Sequence, residues 1–294
     1  MSKKIKLKAF YPILVVIPAL VLFFAFTYYP LISTMQYAMT NWNGFKSNYD
    51  YVGFANFIQL VKDQEVISSF GNTIYFAVFS ILIGIVLQLG LAVFLYGKFR
   101  GKKFFRALFY MPCVISQLIA SLTWLGFFQY SGVINEVLTS IGLSGLVYDW
   151  IGNPSSVKNV LIFINAWQWT GYGMVIYMAG LTAIPIDIYE SAQIDGANSV
   201  QQFFKITIPL IMQAVTINFF IGITGAMKIF DMPFILTKGG PMGASKMLSM
   251  TIYDNAFAYE KFGYSSAIGV VFFFFIATIT VVQIILTRKR EVEF

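Results

Sequence analysis

The sequence predicts an all-α integral membrane protein of six transmembrane helices, and three observations carry that reading. The first is composition: 58% of the 294 residues are hydrophobic and only 11% are charged, with a mean hydropathy of +0.73, far from the balance of soluble globular chains. The second is the placement of the charges. Asp, Glu, Lys and Arg are missing from Ala9 to Phe45, Val66 to Tyr96, Ala107 to Asn135, Asn159 to Ile186, Ile206 to Met227 and Phe262 to Thr287. Each window exceeds the about 20 residues that a helix needs to cross the hydrocarbon core. The third is that these windows are continuously apolar rather than alternating. In lipid the backbone must satisfy its own hydrogen bonds, so helix is the state they take.

The predicted spans are 9–32, 72–97, 107–128, 159–183, 207–230 and 265–287. Four lysines and no acid precede the first span, in a basic segment over 1–8. Its apolar stretch is too long and too aromatic for a signal-peptide core, and no small-residue cleavage pattern closes it, so it is expected to be retained. Pro12 suits a first turn, whereas Pro18 is expected to bend the helix. The fifth window ends at Lys228 and Asp231, expected near the outer mouth, where they pair with each other or meet solute. The sixth span leads into a basic tail over 288–294.

Charge then sets orientation. The N-terminus, the loop between spans two and three (Lys98, Arg100, Lys102, Lys103, Arg106), the loop between spans four and five, and the C-terminus hold 13 basic and five acidic residues. The opposite side holds seven basic and eight acidic residues. This follows the positive-inside rule, with both termini in the cytoplasm. The formal charge of +7 is therefore a topology signal, and no basic soluble module offers a nucleic-acid surface.

Several functions are excluded by what is missing. There is no histidine and a single cysteine, Cys113, so a disulfide framework and most zinc sites are ruled out. The span cores hold no Asp, Glu, His or Arg, the residues through which ion-coupled carriers usually titrate. No Walker-type phosphate loop, Gly-x-Ser-x-Gly elbow, His-Glu-x-x-His pair or Ser-His-Asp triad occurs. Gly239-Gly240-Pro241 is too short to be a phosphate loop. No catalytic or metal-ligating residues are expected, and the chain reads as a solute pathway driven from elsewhere.

Two regions carry that pathway. In span four, Asn165, Gln168 and Tyr172 recur at spacings of three and four and share one face, while the neighbouring Trp169 need not share it. Span five adds Asn218, Gly222 and Gly225, whose small or amide side chains either leave room for a ligand or allow close helix contact. The loop over 184–209 reads as two short helices around Gly196. Pro185 suits the first start, Ser199 the second cap, and Asp187 and Glu190 the positive end of the first helix. Tyr189, Ala192, Gln193 and Gly196 share a face that another protein's surface can approach.

That loop also carries a resemblance. Glu190-Ser191-Ala192, then Gly196, then Ile206-x-Ile208-Pro209 resembles the signature loop of permease subunits in binding-protein-dependent, ATP-driven importers, with Ser191 for Ala and Ile208 for Leu. Tyr51-Val52-Gly53-x-x-Asn56-Phe57, Asn72-Thr73, Ala183-Ile184-Pro185, Thr237-x-Gly239-Gly240-Pro241 and Gly263-Tyr264 are similar to landmarks of the maltose-type carbohydrate permeases. The resemblance implies a MetI-like ABC importer permease bundle in a prokaryotic cytoplasmic membrane, with one chain forming half of the pathway. It also implies the partners: a second similar permease, two cytoplasmic ATPase subunits that use ATP and Mg, and an extracytoplasmic solute-binding protein. The chain itself is expected to bind no cofactor. Glu190, Ala192, Asp195 and Gly196 would couple it to an ATPase, with Asp195 bracing the bend, and Asn165 and Trp167 would belong to an intramembrane sugar site. A carbohydrate, and an oligosaccharide in particular, is the expected cargo. The same architecture carrying a phosphodiester, polyamine or peptide is the alternative, and an independent ion-coupled carrier is the more distant one.

Overall fold

The computed structural model describes residues 16–97 and 100–292. The basic segment 1–8, the start of the first predicted span with Pro12, Lys98 and the last two residues of the tail lie outside the described residues. Three helices are long and apolar enough to cross a membrane unbroken: α1 (Val16–Tyr37), α3 (Gln64–Tyr96) and, last in the chain, α13 (Phe262–Arg288). Three bent pairs supply the others. They are α4 (Lys102–Val114) with α5 (Gln117–Phe128) and α6 (Val133–Ser140), α7 (Val157–Ala183) with α8 (Ile186–Ile194), and α9 (Ser199–Leu210) with α10 (Met212–Met227). Short helices α2 (Ala55–Leu60), α11 (Asp231–Thr237) and α12 (Leu248–Tyr253) complete the set. Counting each bent pair once gives up to six crossings. The protein is a multi-pass membrane protein.

One expectation is corrected, and a second irregularity is added. The third span is not a straight helix over 107–128: it breaks at Ile115, whose backbone is extended (ψ 135°), and turns by 97°. Pro112 removes one ladder donor, and the Ser116 hydroxyl restarts the chain by accepting from Ile119 N at 3.3 Å. In the first span, Pro18 lies in the first described turn, so the turn it would bend lies outside the described residues, and the irregularity seen further along is set by Pro30. The helix widens to a π turn over Phe24–Tyr28. The same widening, over Phe203–Thr207, stands at the same distance before Pro209. A proline ring collides with the carbonyl four residues back, and the preceding turn opens to relieve it.

Contacts divide the chain into two units, 1–63 with 252–273, and 64–251 with 274–294. In the first, the Asn56 amide donates to Ala38 O and Thr40 O, both at 2.9 Å, while Gly263 N donates to Trp42 O at 2.7 Å. Gly263 is required there because a Cβ would strike the Thr40 carbonyl. Tyr264 donates to Asp63 Oδ2 at 2.7 Å. Several motif landmarks are thus latches for the segment that follows α1. Over 16–30 the apolar side chains of α1 are left uncovered by the described residues, Phe26 being 77% exposed.

The second unit is built on α3 against α7. A buried cluster of Ala92, Leu95, Met174, Tyr177, Leu181, Ile211 and Ala214 joins α3, α7 and the start of α10. Glycines set the close approaches. A Cβ on Gly171 would meet the Phe109–Tyr110 backbone of α4, one on Gly173 the end of Gln88 on α3, and one on Gly180 the Ala214 Cβ at 3.0 Å. Asn72 and Thr73 hold the segment before α12 onto α3. The Asn72 amide donates to Gly243 O (2.9 Å) and Lys246 O (3.1 Å), and the Thr73 hydroxyl accepts from Leu248 N (2.9 Å).

Candidate functional site

Between α3, α7 and α10 lies a cavity of about 320 Å³. It exists because small residues face one another there: Gly84 on α3, Gly173 on α7, and Gly222 and Gly225 on α10. Asn218 fixes the α10 wall by donating from Nδ2 to Gly173 O at 3.1 Å. That carbonyl lies in the middle of a helix, so the bond ties two spans in a medium without competing water.

Five residues predicted for the path line this cavity: Asn165, Tyr172, Asn218, Gly222 and Gly225. Gln168 does not. It is 1% exposed, and its Nε2 donates to Ile115 O at 3.1 Å, serving the carbonyl freed by the break between α4 and α5. Trp167 is also turned away and packs edge-on against Trp124 at 5.2 Å. Trp169 takes the place expected of its neighbours, lining the cavity beside Tyr172 with ring centroids 6.1 Å apart. The working face of α7 is therefore Asn165, Trp169, Tyr172 and Gly173, at steps of four, three and one.

Sequence reasoning missed the α3 and α5 walls. Ser80, Gly84 and Gln88 recur every four residues inside an apolar window, a legible polar stripe, and Gln117 opens α5. The Ser80 hydroxyl and Gln117 Nε2 are buried atoms without a hydrogen-bond partner among the described residues. Unpaired polar atoms beside a cavity are groups a polar ligand can satisfy. Lys228 and Asp231 also line the cavity and form no ion pair with each other. Aromatic rings, four amides, hydroxyls and one charge of each sign make a surface suited to a polar, polyhydroxyl solute. No cluster of potential metal ligands occurs among the described residues.

The loop between α7 and α10 is the second feature. Helix α8 ends in paired backbone bonds, Ala197 N to Ala192 O at 2.9 Å and Gly196 N to Gln193 O at 3.0 Å, the Schellman termination. Gly196 has φ +81° with open space where a Cβ would point, so its requirement is conformational. Asn198, not Ser199, caps α9, exchanging two 2.9 Å bonds with Gln201. The Asp195 carboxylate is exposed and makes no hydrogen bond among the described residues, so the backbone and not this side chain braces the bend. Glu190 is exposed and Ala192 half-buried. Tyr189 does not share the outer face: with Ile188 it packs on the buried cluster, and its hydroxyl lies 3.0 Å from Thr207 Oγ1. Ile194, 87% exposed beside Gly196, leaves an apolar tip on the loop.

Comparison with known proteins places this architecture. The family model for the binding-protein-dependent transport system inner membrane component matches residues 80–292. The chain is 33% identical over 273 residues to the multiple sugar-binding transport system permease protein of Streptococcus mutans, covering 93% of each. It is 37% identical over 270 residues to a probable starch degradation products transport system permease protein of Thermoanaerobacterium thermosulfurigenes, covering 90% of this chain and 89% of that one. Its fold matches a chain of a bacterial ABC transporter involved in alginate import, with a TM-score of 0.84 at 24% identity over 98% of both chains. The chain belongs to the family of inner membrane components of binding-protein-dependent transport systems.

Proposed function

We propose that this chain is one of two permease subunits of an ATP-driven importer and that it conducts a carbohydrate, an oligosaccharide in particular, across the prokaryotic cytoplasmic membrane. Both termini face the cytoplasm, as the basic residues of the even-numbered loops support. A solute-binding protein delivers the sugar from outside. Two cytoplasmic ATPase subunits consume ATP and Mg, and one of them receives the loop formed by α8 and α9. The observation that carries the reading is the construction of that loop. Its outer side presents Glu190, Ile194 and Gly196 unpartnered, while its inner side is anchored on the bundle through Ile188, Tyr189 and Thr207.

The mechanism follows from those anchors. A push on α8 is transmitted through the Ile188–Tyr189 packing to the cluster joining α3, α7 and α10, and through Tyr189 to Thr207 on α9, which leads into α10. The same three helices form the cavity walls one to three turns further on. Nucleotide-driven closure of the ATPases thus biases a two-state equilibrium between inward-open and outward-open cavities. Trp169 and Tyr172 offer faces to the sugar rings, and Asn165, Asn218 and Gln88 offer amides to the hydroxyls. The names of the relatives, which include sugar and starch-product permeases, support a carbohydrate cargo.

The test reconstitutes the permease pair with its ATPases and binding protein, and measures sugar-stimulated ATP hydrolysis and uptake with Gly196→Val or Ala192→Asp. Loss of both signals with an assembled complex is expected. Unchanged coupling in an assembled complex overturns the docking role, and uptake by the chain without ATPases overturns the importer reading.

A further inference from the structure

A second concavity lies on the other side of the α3–α7 pair, away from the residues that face the first. Its volume is about 840 Å³ and its walls come from α3, α4 and α7. Along α3 the lining residues are Tyr75, Phe79, Ile83, Leu87 and Leu91, an unbroken step of four. At about 1.5 Å per residue this stripe runs about 24 Å, a length that accommodates an extended acyl chain within the about 30 Å hydrocarbon layer. Phe79 (41% exposed) and Phe163 (50% exposed) stand open on opposite walls. The groove changes character at its Tyr75 end. There Tyr75 donates to Asn159 Oδ1 at 3.1 Å, and the Lys158 ammonium sits 4.8 Å over the Tyr75 ring.

Lys158 is unusual in its company. Its Nζ donates to Asn72 Oδ1 at 3.3 Å, and no carboxylate lies within ion-pair distance of it among the described residues. Asn72 is itself held by Gly243 O and Lys246 O, so the ammonium is positioned by a rigid acceptor and by a ring face. A neutral acceptor and a ring leave its charge uncompensated. The result is a long apolar trough with one fixed cation at its end, at the start of a membrane-crossing helix where headgroups lie.

We propose that this groove is a binding site for an acidic phospholipid, one acyl chain lying along the stripe from Phe79 to Leu91 and the phosphate meeting Lys158. A transmembrane helix from another subunit would fill the apolar part and leave the Lys158 charge unanswered, and for that reason the lipid is the occupant. The site is independent of the sugar cavity, and its existence does not rest on the identity of the cargo.

The experiment uses the full transport complex in phosphatidylcholine vesicles. These contain, at equal fraction, either phosphatidylglycerol or phosphatidylcholine bearing the same photoactivatable acyl chain, and the labelled residues are mapped after illumination. The phosphatidylglycerol label is expected to concentrate at Ile83, Leu87 and Phe163 and to exceed the phosphatidylcholine label there by about fivefold, the effect of one lysine at an anionic headgroup. Lys158→Gln removes the difference, Lys158→Arg keeps it, and Ile83→Trp, which fills the groove, lowers both labels. Equal labelling by the two headgroups, or indifference to Lys158→Gln in an assembled complex, overturns the proposal. So does a cross-link from a photoreactive residue at position 83 to the second permease subunit in place of lipid.

Discussion

Replacing Gly171 by alanine tests the packing that shapes this bundle. The added Cβ would lie 2.6 Å from Phe109 C and 2.7 Å from Tyr110 Cα, with the Phe109 carbonyl oxygen closer still. These are backbone atoms of α4, so no rotamer relieves the clash and α4 must move from α7. Overpacking of this kind costs about 1–3 kcal/mol, which corresponds to a fall of about 2–5 °C in the unfolding midpoint for a chain of this size. Gly173→Ala is the internal control. The atoms nearest its Cβ are those at the end of the Gln88 side chain, which can swing into the cavity, so the loss is smaller and Gln88→Ala restores it. The assay is thermal exposure of Cys113, the single cysteine, which is half-buried on α4 one turn beyond the contact. A thiol-reactive fluorophore then reports the detachment of α4. An unchanged midpoint for Gly171→Ala, or a larger loss for Gly173→Ala, refutes the argument that the backbone contact controls this interface.

Three other outcomes follow from the site. Asn218→Ala removes the tie to Gly173 O and a cavity amide. It is expected to destabilise the bundle by about 0.6–1.7 kcal/mol, the worth of an interhelical hydrogen bond in lipid, read as a lower unfolding midpoint, and to raise the KM for uptake in proteoliposomes. Tyr189→Phe keeps the packing on the buried cluster but loses the contact to Thr207, and is expected to lower sugar uptake per ATP hydrolysed while assembly persists, read by measuring both rates on one preparation. Lys246→Met breaks the 2.5 Å pair with Glu65, whose partners are 17% and 40% exposed. Solvent screening limits the loss to about 1 kcal/mol or less. Limited proteolysis should detect faster nicking over 238–248, with a difference that shrinks as salt is raised.

Much of this protein is legible in its sequence. The charge-free windows place the spans because a helix in lipid needs about 20 apolar residues whatever its neighbours. Gly196 marks the bend of the loop between α7 and α10 because only glycine takes φ +81° without strain. The motif pairs Asn56 and Gly263, and Asn72 and Thr73, were visible as landmarks, but their work as latches was not, since each joins residues distant in the chain.

The sequence by itself determined that the chain is helical, where its up to six crossings lie, and that a signature loop separates two spans. Only the tertiary structure decided which side of each span does what. Trp169 rather than Trp167 faces the cavity, Gln168 serves the broken third span, and Ser80, Gln88 and Gln117 complete the walls. The physical reason is the solvent. In water a helix announces its buried face by an apolar stripe, but lipid tails are as apolar as a protein core, so no such contrast is written into a span. Facing is then set by glycine contacts and single hydrogen bonds, such as Gly171 on Phe109 and Asn218 on Gly173, which exist only once the helices meet.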